Sequence, residues 1–308
     1  MSQDILVAVD AGGTKTEFCV RALSGGDMCR FVYGGSNYRS SSIAQARRNL
    51  VDGFFETCKA ADIHPDNVKG AVFGIAGCDT PEDMRIYREL VSEIGFSDSR
   101  IKLFNDCELA FLAAADAPGL CIVAGTGSNS MAFHPDRPVL RAGGLGALLS
   151  DGGSGFWIAQ RVMRKMLLFS DGSGSYLPVY AQIARHFDID DFTQVPFRFA
   201  IMTVPEIASA AQIILECAES GDPYAQETVF MAHNALLDLA TTPCRRMKYN
   251  PDETLQVVLI GSLFKNQWFL ERFWKGLIER ISNPIERHLI TTNPSENAMR
   301  LAEKIYGK

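Results

Sequence analysis

The sequence predicts a duplicated α/β protein made of two domains. The order strand-strand-strand-helix-strand-helix-strand-helix is clear in the first half and returns in the second half with helical material inserted. Each copy starts with an apolar strand that runs into a turn rich in glycine, threonine and serine. A length of 308 residues allows two sizeable cores. We place the domains at 1–116 and 117–293, and expect a C-terminal helix at about 294–308 to pack back on the first domain.

Apolar runs bounded by turn residues predict the strands of both copies. We place strands at 5–10, 17–23, 28–33, 71–75 and 101–105 in the first copy, and at 120–124, 131–134, 139–142 and 255–260 in the second. Helices are expected after the third strand, from Pro81, over 108–115, around Trp157, through 176–248, and at about 268–281 and 296–306. Pro81, followed by two acidic residues, is a favourable helix start.

Residues 7–18, VAVDAGGTKTEF, contain the first of two glycine-rich hairpins, and residues 121–133, CIVAGTGSNSMAF, contain the second. Glycine has no Cβ, so it permits tight turns and close approach of a ligand to the backbone. The N–H groups of such turns form a concave nest for anionic oxygen. Asp10 at the end of the first strand would supply a carboxylate to a phosphate-bound Mg²⁺. Two such hairpins facing across a cleft could hold a nucleoside triphosphate.

The spacing excludes two other phosphate-binding motifs. A Walker loop needs glycine directly before its Lys-Ser/Thr pair, but Thr14 precedes Lys15 here. A dinucleotide fingerprint opens a helix, whereas the residues from Glu17 onward form a strand pattern. An ordinary hairpin turn is the alternative for either copy alone, and the second copy in the same context argues against it.

Composition excludes several classes of partner. The net charge of −6 and the lack of a basic stripe argue against nucleic acid. The apolar runs are shorter than a membrane span, and no signal-peptide pattern opens the chain, so we expect a cytoplasmic protein. The 8 cysteines form no Cys-x-x-Cys pair and are expected to be buried apolar residues.

Five of the singled-out residues lie at the ends of predicted strands. In open α/β sheets the ligand binds at the carboxyl ends of the strands. These residues are therefore expected to converge on one cleft: Asp10, Gly77, Asp106, Gly125 and Gly261.

These motifs together resemble a known superfamily. DAGGTKTE resembles the first phosphate loop, AGTGSN the second, and VVLIGSLFKN the adenosine loop of the sugar kinase, heat-shock protein 70 and actin superfamily. Within it the chain is most similar to the N-acetylglucosamine kinase group, grouped with the BadF/BadG/BcrA/BcrD ATPases. GIAGCD, NDCELAFLAA and GGLGALLSDGGSGFWIA extend the likeness, which runs from Val7 to about Lys265. The resemblance implies duplicated ribonuclease-H-like (actin-like ATPase) domains with an interdomain cleft.

The resemblance also implies a role for each matching residue. Asp106 matches the catalytic base that accepts the proton of the attacking sugar hydroxyl, and Asp10 matches the Mg²⁺-side carboxylate. The residues implied to bind ATP are Gly12, Gly13, Thr14, Lys15, Gly125, Thr126, Gly127, Gly261, Ser262 and Lys265. Those implied to bind the sugar are Asn37, Gly77, Asp106, Ser128, Asn129, Gly144 and Asp151.

Three of these residues also have a structural explanation. Asp106 precedes a helix and so could be its N-cap. Asp151 could satisfy its own loop backbone, and Asn37 lies in a Gly-Ser-rich loop where asparagine is common. The chain also departs from the family: Gly152 stands where relatives commonly carry Glu, and Tyr38 and Arg39 follow Asn37. These departures leave the identity of the sugar open.

The resemblance implies an ATP-dependent kinase that phosphorylates an amino sugar on the 6-hydroxyl. N-acetylglucosamine, glucosamine and N-acetylmuramic acid are the candidate substrates. An ATPase that activates a partner enzyme, of the acyl-CoA dehydratase or reductase type, is the alternative. A transcriptional regulator would need a helix-turn-helix ahead of Asp10, and the sequence leaves no room for one. By analogy we expect a homodimer.

Overall fold

The computed structural model describes residues 4–307 and divides into two compact units. Unit 1 holds the chain up to Ala115 together with the segment from Thr292 onward, and unit 2 holds Asp116–Thr291. The segment from Thr292 carries a helix whose apolar residues pack on the sheet of unit 1.

Unit 1 is built on a five-stranded mixed sheet. Its strands are β1 (Ile5–Ala11), β2 (Lys15–Ala22), β3 (Cys29–Gly34), β4 (Val68–Ile75) and β5 (Ile101–Asn105). They lie in the order β3-β2-β1-β4-β5, with β1–β2 and β2–β3 antiparallel and β1–β4 and β4–β5 parallel. Because the central strand β1 is covered on both faces, it reads as a nearly continuous apolar run.

Helices cover both faces of this sheet. They are α1 (Ile43–Arg47), α2 (Gly53–Ala60), α3 (Pro81–Ser92), α4 (Asp106–Ala114) and, from the C-terminal segment, the helix Pro294–Tyr306. Val7 and Val9 of β1 pack on one side with the core around Phe54. Leu6 and Ala8 alternate to the other side and meet Leu109 of α4 and residues of the C-terminal helix. The two-residue period of the strand thus separates two cores.

Unit 2 repeats the same sheet. Its strands are β6 (Gly119–Ala124), β7 (Ser128–His134), β8 (Arg137–Gly143), β9 (Leu255–Ile260) and β10 (Ile285–Ile290). The order β10-β9-β6-β7-β8 and the strand directions match those of the first sheet strand for strand. The prediction of a duplicated α/β fold is confirmed.

Strand β10 was not predicted from the sequence. It pairs in parallel with β9 from Ile285 to Ile290 at the edge of the sheet. Its residues are half-buried or exposed, and Glu286, Arg287 and His288 interrupt its apolar character. An edge strand with charged residues leaves no apolar pattern that a sequence reading can detect.

Between β8 and β9 lies the inserted helical material of unit 2. The helices are α5 (Gly155–Ser170), α6 (Pro178–His186), α7 (Val195–Ile201), α8 (Val204–Ala208), α9 (Ala210–Glu219) and α10 (Pro223–Met247). After β9 come α11 (Gln267–Arg280) and, in unit 1, α12 (Pro294–Tyr306). Across residues 4–307, none of the helices combines the length and the apolarity needed to cross a membrane.

Candidate active site

Asp10 and Asp106 lie at the same edge of the unit 1 sheet. The parallel register places Ala11, the last residue of β1, beside Ile75 of β4, and Ile75 beside Asn105 of β5. Asp106 directly follows Asn105, so it lies at the same ends of the strands as Asp10. Burial raises the pKa of Asp10 to about 6, and the negative charge of Asp106 adds to this, whereas Lys15 opposes it. Two half-buried carboxyls with mutual repulsion form a site that a cation or a transferable proton would stabilise.

The backbone around Asp106 is held by its neighbour. Asn105 is the N-cap of α4, and its Oδ1 accepts a hydrogen bond from Cys107 N at 2.9 Å. Asp106 is the first helical residue, and its Oδ1 accepts from the same N–H at 2.9 Å. Burial raises the pKa of Asp106, and the Cys107 N–H opposes that effect. Since Asn105 occupies the cap position, capping alone does not explain the choice of Asp106.

The first glycine-rich loop joins β1 to β2. Gly12 N donates to Lys15 O at 2.8 Å, and Gly13, Thr14 and Lys15 are exposed. Neither Gly12 nor Gly13 has a positive φ, so glycine is not required here for a left-handed turn. A Cβ added at Gly13 would meet only Ser40 Oγ at 3.6 Å, an ordinary contact. What glycine supplies at Gly13 is an open approach to the backbone.

Lys15 is paired within unit 1. Its Nζ lies 2.8 Å from Glu17 Oε2, and this hydrogen bond raises the pKa of Lys15. Glu17 is buried and also accepts from Ser295 Oγ at 2.7 Å, a residue of α12. This ion pair restrains the half-exposed Lys15 side chain within unit 1.

Asn37 and Gly77 are in direct contact. Gly77 has φ of +87°, and a Cβ there would lie 2.5 Å from Asn37 Nδ2. Asn37 Oδ1 accepts from Arg39 N at 3.0 Å. The Asn37 loop is tied to the first glycine-rich loop by Ser36 N, which donates to Gly12 O at 2.9 Å.

The second glycine-rich loop, in unit 2, packs against the start of α5. Gly125 O accepts from Gly155 N at 2.7 Å, and Thr126 O accepts from Phe156 N at 3.2 Å. Ser128 Oγ donates to Gly152 O at 2.8 Å. These bonds fix the loop to the segment that contains Asp151.

Asp151 is the buried carboxyl of unit 2, with 8% of its surface exposed. Burial raises its pKa, and the peptide N–H groups of Gly146, Ser128 and Gly144 oppose this effect. Within the described part of the chain its Oδ1 is buried and has no hydrogen-bond partner. A buried acceptor without a partner is costly, so this oxygen is suited to a donor from a ligand.

Gly144 lies close to Asn129. Gly144 N donates to Ser128 O at 2.9 Å, and a Cβ at Gly144 would lie 2.9 Å from Asn129 Cβ. Gly144 has φ of +69°, so glycine is required on both counts.

The loop after β9 contacts the second glycine-rich loop. Gly261 has φ of +121°, and a Cβ there would lie 2.2 Å from Ala124 O. Ser262 N lies 3.7 Å from the Cβ position of Gly125. Lys265 is exposed at the end of the short 3-10 helix Ser262–Lys265. The predicted residues of unit 2 other than Lys265 therefore form one group around Gly125–Asn129.

With this geometry established, comparison with known proteins decides the family. The model of the BadF/BadG/BcrA/BcrD ATPase family matches residues 7–293. The chain belongs to this family.

Two relatives of this chain carry the names of sugar kinases. An N-acetyl-D-glucosamine kinase of Dictyostelium discoideum is 25% identical over 318 residues, covering 98% of each chain. An N-acetylmuramic acid/N-acetylglucosamine kinase of Clostridium acetobutylicum is 24% identical over 221 residues, covering 70% of this chain and 72% of the relative. A Chromobacterium violaceum protein provisionally described as an N-acetylglucosamine kinase superposes with a TM-score of 0.70 at 21% identity, covering 98% of this chain and 100% of its own. That last likeness establishes the fold alone.

The residues around Asp10 fit a Mg²⁺ ion that is held mainly by nucleotide phosphates and water, with one carboxylate from the protein. Among residues 4–307, no group of three or more His, Cys, Asp or Glu is arranged to hold a metal ion. Mg²⁺ usually keeps several waters and binds through one or two carboxylates together with substrate phosphates. The raised pKa of Asp10, which a nearby cation would lower, is consistent with that arrangement.

Sequence reasoning missed one residue of unit 1 that lies near Asn37 and Gly77. Asp83 is completely buried and contacts both the Asn37 loop and the segment after Gly77. The only signal in the sequence was the helix start Thr80-Pro81-Glu82-Asp83, which has the spacing of a capping box.

Proposed function

We propose that this protein is an ATP-dependent kinase that phosphorylates an amino sugar. The observation that carries the proposal is the pair Asp10 and Asp106 at one sheet edge, in a chain of the BadF/BadG/BcrA/BcrD ATPase family. The sugar class follows the named relatives, which are kinases of N-acetylglucosamine and N-acetylmuramic acid.

Asp106 is the proposed general base. Phosphoryl transfer needs its acceptor hydroxyl oriented more than strongly activated, and a carboxylate serves both purposes. The hydrogen bonds at the start of α4 orient Asp106, and its raised pKa makes it a better proton acceptor than an exposed carboxylate. Asp10 is the proposed partner of Mg²⁺, which when bound would neutralise charge on the phosphates.

The proposed sugar ligands are Asn37, Gly77 and Asp106 in unit 1 and Ser128, Asn129, Gly144 and Asp151 in unit 2. Asp151 Oδ1 is the buried acceptor that a sugar hydroxyl could satisfy. We propose the 6-hydroxyl as acceptor. Gly152 stands where relatives commonly carry Glu, so it offers no polar side chain to a sugar. We therefore expect weak discrimination between amino sugars at this point and activity on more than one of them.

The proposed ATP ligands are the two glycine-rich loops and the loop after β9. Gly12, Gly13, Thr14 and Lys15 would contact the terminal phosphates with Gly125, Thr126 and Gly127. Gly261, Ser262 and Lys265 would contact the adenosine. The open backbone at Gly13 supports this role.

The test is a panel of acceptors with ATP and Mg²⁺: N-acetylglucosamine, glucosamine, N-acetylmannosamine, N-acetylmuramic acid and glucose. ADP release is measured by a coupled assay, and ³¹P–¹H correlation spectra of the product locate the phosphate. We expect N-acetylglucosamine to be phosphorylated on the 6-hydroxyl, with activity on at least one other amino sugar.

Two results would contradict the proposal. If glucose were turned over faster than every amino sugar, the substrate would be a hexose without an amino group. ATP hydrolysis that no sugar changes would favour an ATPase that activates a partner enzyme. Light scattering of the purified protein tests the homodimer expected by analogy.

A further inference from the structure

Asp83, the third residue of α3, is a completely buried carboxylate with an unusual number of donors. Six donor atoms reach it: Tyr38 Oη, Arg39 Nε, Arg39 Nη2, Asp79 N, Thr80 N and Thr80 Oγ. The distances lie between 2.5 and 3.1 Å. A buried charge is costly unless it is fully paired, so this environment has to be ordered for the carboxylate to be tolerated.

The first group of donors comes from the loop that carries Asn37. Tyr38 Oη donates to Asp83 Oδ1 at 2.5 Å, and Arg39 Nη2 lies 2.7 Å from Oδ1 and 2.9 Å from Oδ2. Tyr87, a second residue of α3, also holds this loop. Its Oη donates to Ser36 O at 3.0 Å and accepts from Tyr38 N at 3.3 Å. Asn37 therefore lies between two anchored neighbours, Ser36 and Tyr38.

The second group leads toward Asp106. Asp79 N donates to Asp83 Oδ2 at 3.1 Å, and Asp79 Oδ1 accepts from Asn105 Nδ2 at 3.0 Å. Asn105 in turn caps the helix that begins with Asp106. One carboxylate is thus linked by successive hydrogen bonds to the residue next to the proposed base.

A helix cap needs much less than this. Thr80 and Asp83 form a complete capping box, which accounts for the contacts of Thr80 with Oδ2. The contacts of Tyr38 and Arg39 with Oδ1 come from residues 45 and 44 positions away and contribute nothing to the cap.

We propose that Asp83 is a positioning residue that sets the Asn37 loop against the segment before Asp106, and so orients the sugar toward the base. The proposal rests on the proposed function, because it assigns Asn37 and Asp106 to the acceptor side. The neutral amide of Asn would keep the volume of Asp83 while removing its charge, and it could not accept all of these donors.

The test compares Asp83→Asn with Glu206→Gln, its matched control. Glu206 forms the same kind of capping box with Thr203 at the start of α8, and it is exposed. We expect Asp83→Asn to raise KM for the sugar at least ~10-fold, as loss of charge-assisted hydrogen bonds would. KM for ATP should change less than ~2-fold, and Glu206→Gln should change neither constant.

Two milder variants separate positioning from capping if Asp83→Asn folds poorly. Tyr38→Phe removes one of the six donors to Asp83 and leaves the capping box intact, so it should raise KM for the sugar, with a smaller fall in Tm than Asp83→Asn. Thr80→Ala removes the cap, so it should lower Tm and leave KM for the sugar nearly unchanged. Unchanged sugar KM in both Asp83→Asn and Tyr38→Phe would overturn the proposal.

Failure of the proposed function gives a different result. It would appear as a wild-type protein without amino-sugar kinase activity. Hydrogen exchange without substrate then decides the positioning role. Faster exchange at residues 36–39 and 105–107 in Asp83→Asn, but not in Glu206→Gln, would support the proposal, and equal rates would refute it.

Discussion

Gly127 of the second glycine-rich loop lies directly against Asp151. A Cβ at Gly127 would be 2.4 Å from Asp151 Oδ2, closer than real Cβ contacts come. The loop proposed to bind phosphate and the carboxylate proposed to bind sugar are therefore in van der Waals contact within unit 2. A change at one of these positions should be felt at the other.

We expect Gly127→Ala to raise KM for the sugar as well as for ATP, because its methyl group displaces the Asp151 carboxylate. In an Asp151→Ala background the same methyl group meets no carboxylate, so its effect on sugar KM should be smaller. A double-mutant cycle measures this coupling, which for residues in contact is about 0.5–3 kcal/mol. Additive effects would show that the contact does not couple the two sites.

Gly13→Ala should separate ATP binding from stability. The new methyl group meets only Ser40 Oγ at an ordinary distance, so the free energy of unfolding should change by less than about 0.5 kcal/mol. It would, however, occupy the approach of a phosphate to the backbone. We expect calorimetry to give ATP binding weaker by at least ~10-fold. Normal ATP binding would reduce the loop to an ordinary hairpin.

The contrasting variant is Gly35→Ala. A Cβ there would lie 2.1 Å from Gly13 O, so this variant should distort the first loop and lower Tm. Weak ATP binding in both variants, with a lower Tm only in Gly35→Ala, would separate a blocked ligand from a disturbed loop.

Asp106→Asn should keep the fold and ATP binding but lose phosphoryl transfer. Removal of a positioned base costs ~10²–10⁴-fold in rate. Asn can still accept from Cys107 N through its side-chain oxygen, so the start of α4 should remain ordered. The rate of ADP formation and calorimetry with ATP measure the two properties. A turnover close to that of the wild-type protein would reject Asp106 as the base.

Glu108→Gln provides the matched control for this variant. Glu108 lies in the first turn of the same helix, and burial raises its pKa as well. Since no role in the reaction is proposed for it, its loss should change turnover only severalfold. A loss of turnover as large as that of Asp106→Asn would indicate that turnover depends on negative charge at the start of α4 and not on a base at Asp106.

The stability of unit 2 should fall in mild acid because of His233. Burial lowers the pKa of His233 from its ordinary value of 6.5 to about 4. The ring Nε2 lies 3.1 Å from Phe269 O, and only 7% of the residue is exposed. Between these two pKa values the unfolded state binds the extra proton, so stability is full above pH 6.5 and is lost as the pH falls toward 4. The expected loss from about pH 8 to about pH 5 is about 2 kcal/mol.

Urea unfolding of the wild-type protein and of His233→Leu at both pH values checks this expectation. The variant should be less stable at high pH but should lose less stability on acidification. His64→Gln is the control, since the His64 side chain is 72% exposed in the folded protein. An equal loss in the wild-type protein and His233→Leu would assign the acid sensitivity to other groups.

The local parts of this molecule were predictable from the sequence. Strand β9 has the predicted bounds, and the two glycine-rich hairpins lie where their motifs place them. Such elements depend on neighbours within a few residues: alternating or continuous apolar runs, glycine in a turn, an acidic residue after a strand. The duplication could be recognised for the same reason, because each copy repeats the same local order.

Contacts between distant segments were decided only by the tertiary structure. The sequence indicated Asp83 as part of a helix start, but its contacts with Tyr38 and Arg39 depend on how α3 packs beside the Asn37 loop. Glycine was expected at Gly12 and Gly13 partly for a tight turn, whereas the structure requires left-handed glycine at Gly77, Gly144 and Gly261. Gly127 requires glycine for a different reason, because a Cβ there would lie 2.4 Å from Asp151 Oδ2. Sequence motifs indicate the local conformation of the chain. The burial of Asp83 and the close approach of Gly127 to Asp151 depend instead on which distant segments pack against each other.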